Sequence, residues 1–168
     1  MSGVSKSVLS RLLNRWAWLE KPSKTATSAS AYLRSGKVLI QANLPTTTGL
    51  MIASGPVHTA PHDNPDAVGE ALRAALSLPY DTLPHPHQDK WPSVQTPMLA
   101  AAGVRSWKTL AKGSKAVGVT LNGADLQLTP TTHYDQAGGT ALEEDTVRCE
   151  LAHSKLGAAL LEAFARCQ

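Results

Sequence analysis

The side chains able to do chemistry fall in a few short stretches. His133-Tyr134-Asp135 has the residue types of an acid-base cluster. Neighbours along a strand point to opposite faces, however, so only His133 and Asp135 share one, and at a strand end such residues more often make a turn. His58 and His62 add two imidazoles, and a small hydrolase using His58, His62 and His133 is one reading they allow. His85-Pro86-His87 resembles a metal pair, but no nearby Cys or Glu completes a tetrahedral set. Cys149 and Cys167 have neither paired spacing nor a His at ligand distance, which fits reduced thiols. No Gly-x-Ser-x-Gly elbow, Gly-Lys-Ser phosphate loop, His-Glu-x-x-His or Cys-x-x-Cys occurs. The expectation is a chain that is not an enzyme and uses no metal and no cofactor.

The remaining concentration of reactive types is Glu143-Glu144-Asp145. Three consecutive acids ordinarily form a solvated turn; the other reading is a contact for a basic partner. The distribution of charge bears on that choice. Residues 1–37 hold seven Lys or Arg against one acid, and residues 38–168 hold nine basic against twelve acidic residues. The body is therefore mildly acidic and the basicity belongs to the arm. A nucleic-acid binder gathers positive charge on the folded face that meets phosphate, so direct nucleic-acid binding by the body is not expected. No run approaches the ~18 apolar residues of a membrane span, and Arg11, Asn14 and Arg15 interrupt the segment Val8 to Trp18. A cytoplasmic protein follows as the default.

The elements that must position these groups are readable from periodicity. Lys115 to Leu121 reads as a buried strand, Asn122-Gly123 as a type I′ hairpin turn, and Ala124 to Thr131 as a half-buried strand with Leu126 and Leu128 on one face. Leu156, Leu160, Leu161 and Phe164 recur at helical spacing. Earlier in the chain, Lys37 to Ala42 and Leu50 to Ala53 form a second strand pair. Gly55-Pro56 suggests a bulge before a continuation over Val57 to Ala60. Asn64 caps a helix that starts with Pro65 and buries Val68, Leu72, Ala75 and Leu76.

These two units align as an internal repeat. Val68, Gly69, Leu72 and Leu76 fall on Leu156, Gly157, Leu160 and Phe164. Two helical glycines at equivalent places predict a tight approach of each helix to the sheet. The second unit carries an insertion near Gly138 to Thr146, predicted to add a strand pair or a long strand with the three acids at its tip. Between the repeats, five prolines from Pro79 to Pro97 predict an extended crossing segment held by Trp91. Two short helices follow over 98–112, broken at Gly103, with Ser106 as a cap and Trp107 and Leu110 facing the sheet.

The fold class expected is α/β in the α+β sense. It is a two-layer sandwich with a mostly antiparallel sheet covered by helices, built from two β-β-α repeats and preceded by an N-terminal amphipathic helix over 7–19. Residues 1–30 are helix and linker, and 31–168 form one domain, with repeats at 31–79 and 114–168 flanking a crossing segment and helix at 80–113. The N-terminal helix is expected to pack on the body or on a second copy as a homodimer contact. Its basic, acid-poor composition also admits membrane-surface binding or a transit peptide.

Residues 99–167 resemble the contact-dependent growth inhibition (CDI) immunity protein family, CdiI. The resemblance lies in Ala102-Gly103-Val104-Arg105-Ser106-Trp107-Lys108, the strand Lys115 to Leu121, and Leu126-Gln127-Leu128-Thr129-Pro130-Thr131. It continues in Leu142-Glu143-Glu144-Asp145-Thr146 ahead of the Leu156-Gly157-x-x-Leu160-x-x-Ala163-Phe164 helix. It implies a protein that binds the C-terminal toxin of a cognate CdiA effector in the cytosol, the toxin being a nuclease and frequently one that cuts tRNA. A basic nuclease site is plugged well by carboxylates. The expected toxin-binding residues are therefore Glu143, Glu144 and Asp145, with Asp135, His133 and Tyr134 on the neighbouring loop. The competing expectation is a nucleic-acid or ribosome-associated module using the basic arm.

Overall fold

The structure is a computed structural model and describes residues 24–168. The helix expected over 7–19, and the self-association and nucleic-acid roles assigned to the arm, lie outside the described residues. In chain order the elements are β1 (Ser28–Arg34), β2 (Lys37–Pro45), β3 (Met51–Pro61), α1 (Pro65–Leu76), α2 (Trp91–Ala102), α3 (Trp107–Lys112), β4 (Lys115–Asn122), β5 (Asp125–Thr132), β6 (Thr140–Ala141), β7 (Val147–Glu150) and α4 (Leu156–Arg166). Every strand pairing is antiparallel and the sheet order is β3-β2-β1-β4-β5-β6, with β7 also on the outer flank of β5.

The two repeats are β2-β3-α1 and β4-β5-α4, and both helices cover the same face of the sheet. Val68, Leu72, Leu156, Leu160 and Phe164 meet Val38, Ile40, Val117, Val119, Leu126 and Leu128 there in one buried cluster. Asn64 caps α1 through its Oδ1, which accepts from Ala67 N at 3.1 Å, and Pro65 opens the helix as expected. The bulge predicted at Gly55 is present: Ile40 pairs with His58 but Ala42 pairs with Ser54, and Gly55 takes a φ of 74°.

Five readings of the sequence need correction. Residues 28–30 have the Ser and Ala composition of a linker but open β1, which joins the two repeats by pairing with β2 on one side and β4 on the other. Hydrogen bonding on both edges overrides the weak strand propensity of these residues, and Ala29 and Ala31 are small enough to lie beneath the helices in the core. The β4–β5 turn is shifted by one residue. Asn122 pairs with Asp125, so the loop is Gly123-Ala124 with positive φ at Gly123 alone of the two, a type II′ arrangement.

The third correction concerns the glycines. Gly69 and Gly157 do not face the sheet; they face each other where α1 crosses α4. A Cβ on Gly157 would lie 1.7 Å from Pro65 O and 2.7 Å from Gly69 N. The fourth concerns the prolines: the crossing segment is extended only to His87, after which Gln88–Lys90 makes a 3-10 turn and α2 begins at Trp91. Pro92 sits in the first turn, where its missing N–H costs nothing, and Pro97 is carried inside the helix. The fifth concerns the imidazoles. His58 lies on β3 and His133 follows β5, four strand spacings or roughly 19 Å apart across the sheet. The hydrolase cluster of His58, His62 and His133 is therefore not assembled.

Helices α2 and α3 cover part of the opposite face. Met98 and Leu110 are buried there against Tyr32, Leu39 and Ala116, with Trp107 packed alongside, as its sequence position predicts. Ser106 caps α3 by accepting from Thr109 N at 3.2 Å. Arg34 closes the other end of that short helix, donating from Nη1 to Thr109 O at 3.0 Å and Leu110 O at 3.1 Å.

Candidate functional site

The outer flank of β5 is where the predicted contact residues collect, and local chemistry explains its shape. β6 pairs with Thr131 and Thr132 at one end of β5, and β7 pairs with Asp125 to Leu128 at the other. Pro130 lies in the gap. Its carbonyl accepts from Leu142 N at 2.8 Å, so its missing N–H faces the same gap and costs no ladder bond. The chain leaves the sheet at this interruption and turns through the 3-10 segment Glu143–Asp145.

That turn is held by its backbone, and no ion pair among the described residues engages its carboxylates. Asp145 N donates to Leu142 O at 3.0 Å, and the Thr129 and Thr146 hydroxyls meet at 3.2 Å. Arg166 donates from Nη1 to the backbone carbonyl of Asp145 at 3.0 Å, while its Nη2 bonds Glu162 Oε1 at 2.6 Å. The guanidinium thus anchors the turn without touching its acids. Among the described residues the ion pairs are Arg73 with Glu70, Lys90 with Asp89 and Arg166 with Glu162. None involves Glu143, Glu144 or Asp145; the two glutamates are exposed and Asp145 is half-buried.

The loop from His133 to Gly139 lies past the end of β5, roughly 10 Å along the strand from the acids if three residues are counted at strand rise. His133 is exposed with a φ of 51°, and its N–H donates to Gln168 O at 2.8 Å. Asp135 is exposed. Tyr134 is turned inward: its hydroxyl donates to Tyr32 at 3.2 Å, and the two rings stand 5.6 Å apart. Burial, then the neighbouring Tyr134, pushes the Tyr32 phenol well above its ordinary value. Gly139 closes the loop at a φ of 70°, where a Cβ would meet Thr132 O at 2.4 Å. So the six predicted residues share one edge of the molecule in two groups, and Tyr134 is committed to packing.

Two further features escape sequence reading. A groove of about 850 Å³ runs between β7 and α4, with Asp125, Glu150, Glu162, Arg148, His153 and Lys155 among its lining residues. A smaller cavity lies under α2 above a polar row on β1 and β2: Ser28, Ser30, Gln41 and Asn43. The alternation of Gln41 and Asn43 with apolar residues on β2 was the available signal for the second. Burial also raises the thiols of Cys149 and Cys167 above the usual range. Among the described residues no three His, Cys, Asp or Glu side chains converge on one point, and no helix is long and apolar enough to cross a membrane.

Comparison with known proteins agrees with this architecture. Among solved structures, a protein of unknown function from Neisseria meningitidis matches with a TM-score of 0.67 at 18% identity, covering 87% of this chain and 98% of its own. The CdiA-CT/CdiI toxin and immunity complex from Yersinia pseudotuberculosis matches with a TM-score of 0.66, also at 18% identity, covering 84% of this chain and 97% of the other. At that identity the likeness establishes the fold. No curated protein sequence matches. The family model described as CdiI, CDI immunity protein, matches residues 27–167, which spans both repeats and the crossing segment between them. This chain therefore belongs to the CDI immunity protein family, CdiI.

Proposed function

We propose that this protein binds the C-terminal toxin domain of a cognate CdiA effector in the cytoplasm and neutralises it without performing a reaction of its own. The toxin it meets is a nuclease, with tRNA as the substrate class. Family membership over residues 27–167 supports the immunity role, and the structurally similar Yersinia pseudotuberculosis chain comes from a toxin and immunity complex.

The observation that carries the contact site is the unpaired acidic turn. Three carboxylates stand on a backbone-anchored 3-10 segment, with no ion pair among the described residues. A rigid turn loses little freedom on binding, and carboxylates aimed at a basic phosphate-binding site form charge-assisted hydrogen bonds. In this reading Glu143, Glu144 and Asp145 make the principal contact. Asp135 and His133 flank it, and Tyr134 fixes the loop that carries them. The test is toxin binding by the triple variant Glu143→Gln, Glu144→Gln, Asp145→Asn. Loss of a single well-buried interfacial carboxylate is expected to cost about 2–5 kcal/mol. Full affinity in the triple variant would move the interface elsewhere.

A further inference from the structure

The described chain begins at Lys24, and that point is fixed: Tyr80 N donates to Lys24 O at 2.7 Å, and Thr25 bridges to Pro79. Lys24 shares a cleft of about 500 Å³ with Tyr80, Leu121 and Gly123. Tyr80, 40% exposed, is one of three large apolar side chains among the described residues left that open. Gly123 belongs to the β4–β5 loop, and the residues on either side of that loop, Asn122 and Asp125, line the groove between β7 and α4. The arm therefore joins the body beside this groove.

The groove follows an uncovered sheet edge. β7 pairs with β5 on one side, and among the described residues no strand pairs with its other side. An open edge invites pairing by other chains, and covering it with a helix is one way proteins prevent this. Ala158 and Ala159 line the α4 wall and are small enough to leave room for larger side chains, and Cys149 is half-buried on the β7 wall. Asp125 and Glu150, with Arg148 and Lys155, give the lining both signs of charge. Its occupant therefore needs an apolar stripe to hold it and a polar flank to meet the rim.

The sequence supplies such a segment. Leu9, Leu12, Leu13, Trp16 and Leu19 recur at helical spacing, flanked by Arg11, Asn14 and Arg15. A helix over 7–19 would span about 20 Å, and the chain from Leu19 to Lys24 reaches at most about 17 Å. So short a tether gives an effective concentration of about millimolar at the groove, enough to populate a weak contact. We propose that residues 7–19 dock as an amphipathic helix on this surface, running from the Tyr80 cleft into the groove and covering the open edge of β7. Trp16 and Leu19, nearest the tether, lie against Tyr80, and the earlier leucines lie against Ala158 and Ala159. Arg11 and Arg15 meet Asp125 and Glu150, which make no ion pair among the described residues. Glu143, Glu144 and Asp145 do not line the groove, and the inference stands without the toxin reading.

The test is photocrosslinking of the full chain with Asn14 replaced by the photoreactive residue benzoylphenylalanine, the products being mapped by mass spectrometry. The expected product has monomer mass and joins the arm to peptides from β7 or the first turns of α4. Leu12→Asp with Trp16→Asp should remove that product, and so should Ala158→Arg, which fills the groove from the body side. The arm variant leaves the described core intact, so it remains informative if Ala158→Arg fails to fold. A product of dimer mass, which would make a second copy the occupant, overturns the proposal. So does crosslinking centred on Leu50, Met51 or Trp91, a groove product that survives Leu12→Asp with Trp16→Asp, or no crosslink to the body.

Discussion

Replacing Gly157 by alanine probes the contact that brings the two repeats together. The added methyl would stand 1.7 Å from Pro65 O and 2.7 Å from both Pro65 C and Gly69 N. All three obstacles are backbone atoms, so no rotamer change relieves them. An ordinary carbon contact of about 3.5 Å requires the α1 and α4 backbones to part by more than 1 Å at the crossing. That movement loosens Val68, Leu72, Leu156 and Leu160, all fully buried. Overpacking of this kind costs about 1–3 kcal/mol, and the upper end applies because the obstruction is main chain. Alanine's better helix propensity returns at most ~1 kcal/mol. The net expectation is a loss of about 2 kcal/mol, or a fall in Tm of roughly 4–8 °C for a chain of this size. Gly69→Ala is the internal control: its nearest obstacle is Gly157 N at 3.1 Å. A shift of tenths of an ångström absorbs that, so its effect should stay within ~0.5 kcal/mol. Urea denaturation of both variants, read at constant m-value, decides the matter. A Gly157→Ala protein as stable as the parent would refute the helix-to-helix apposition.

Alkaline unfolding should report on Tyr32. Its phenol is raised above the ordinary value of 10.0 by burial, so the folded state keeps a proton that the unfolded state releases. The resulting stability is present below pH 10.0 and is lost as pH rises above it, at up to ~1.4 kcal/mol per pH unit. In Tyr32→Phe that part of the slope should vanish, and an unchanged profile would contradict the assignment. At Gly113 a Cβ would fall 2.1 Å from Arg34 Nη1, so Gly113→Ala should displace the guanidinium from the end of α3 and cost ~1 kcal/mol by thermal denaturation. Cys149 and Cys167, both raised by burial, should react with a disulfide reagent at neutral pH more slowly than glutathione does. Reaction as fast as the free thiol would show that both are accessible.

Much of the architecture was legible because the residues that carry it act locally. The Lys37 and Lys115 strands, the Asn64-Pro65 helix start, the Gly55 bulge and the paired helices at Val68 and Leu156 each follow from periodicity or turn chemistry within a dozen residues. β1 was hidden because Ser28 to Arg34 is a strand by virtue of neighbours on both sides, a tertiary fact its own composition does not encode. The glycine pair was visible, but its partner was not, since spacing along one helix does not say what crosses it. At the candidate site the acids were legible, but the break between β6 and β7 opposite Pro130 was not, because it depends on which strands pair along the outer side of β5. The inward turn of Tyr134 was not, because it depends on Tyr32, 102 residues away.

The acidic turn, which makes no ion pair among the described residues, is proposed to engage a basic toxin. The most direct measurement of this is the affinity of the purified protein for the C-terminal domain of its cognate CdiA effector, compared with that of the Glu143→Gln, Glu144→Gln, Asp145→Asn variant. The account predicts tight, salt-weakened binding by the parent, a loss of at least ~30-fold in the variant, and loss of growth protection when variant and toxin are co-expressed. Equal affinity and full protection by the variant would contradict it.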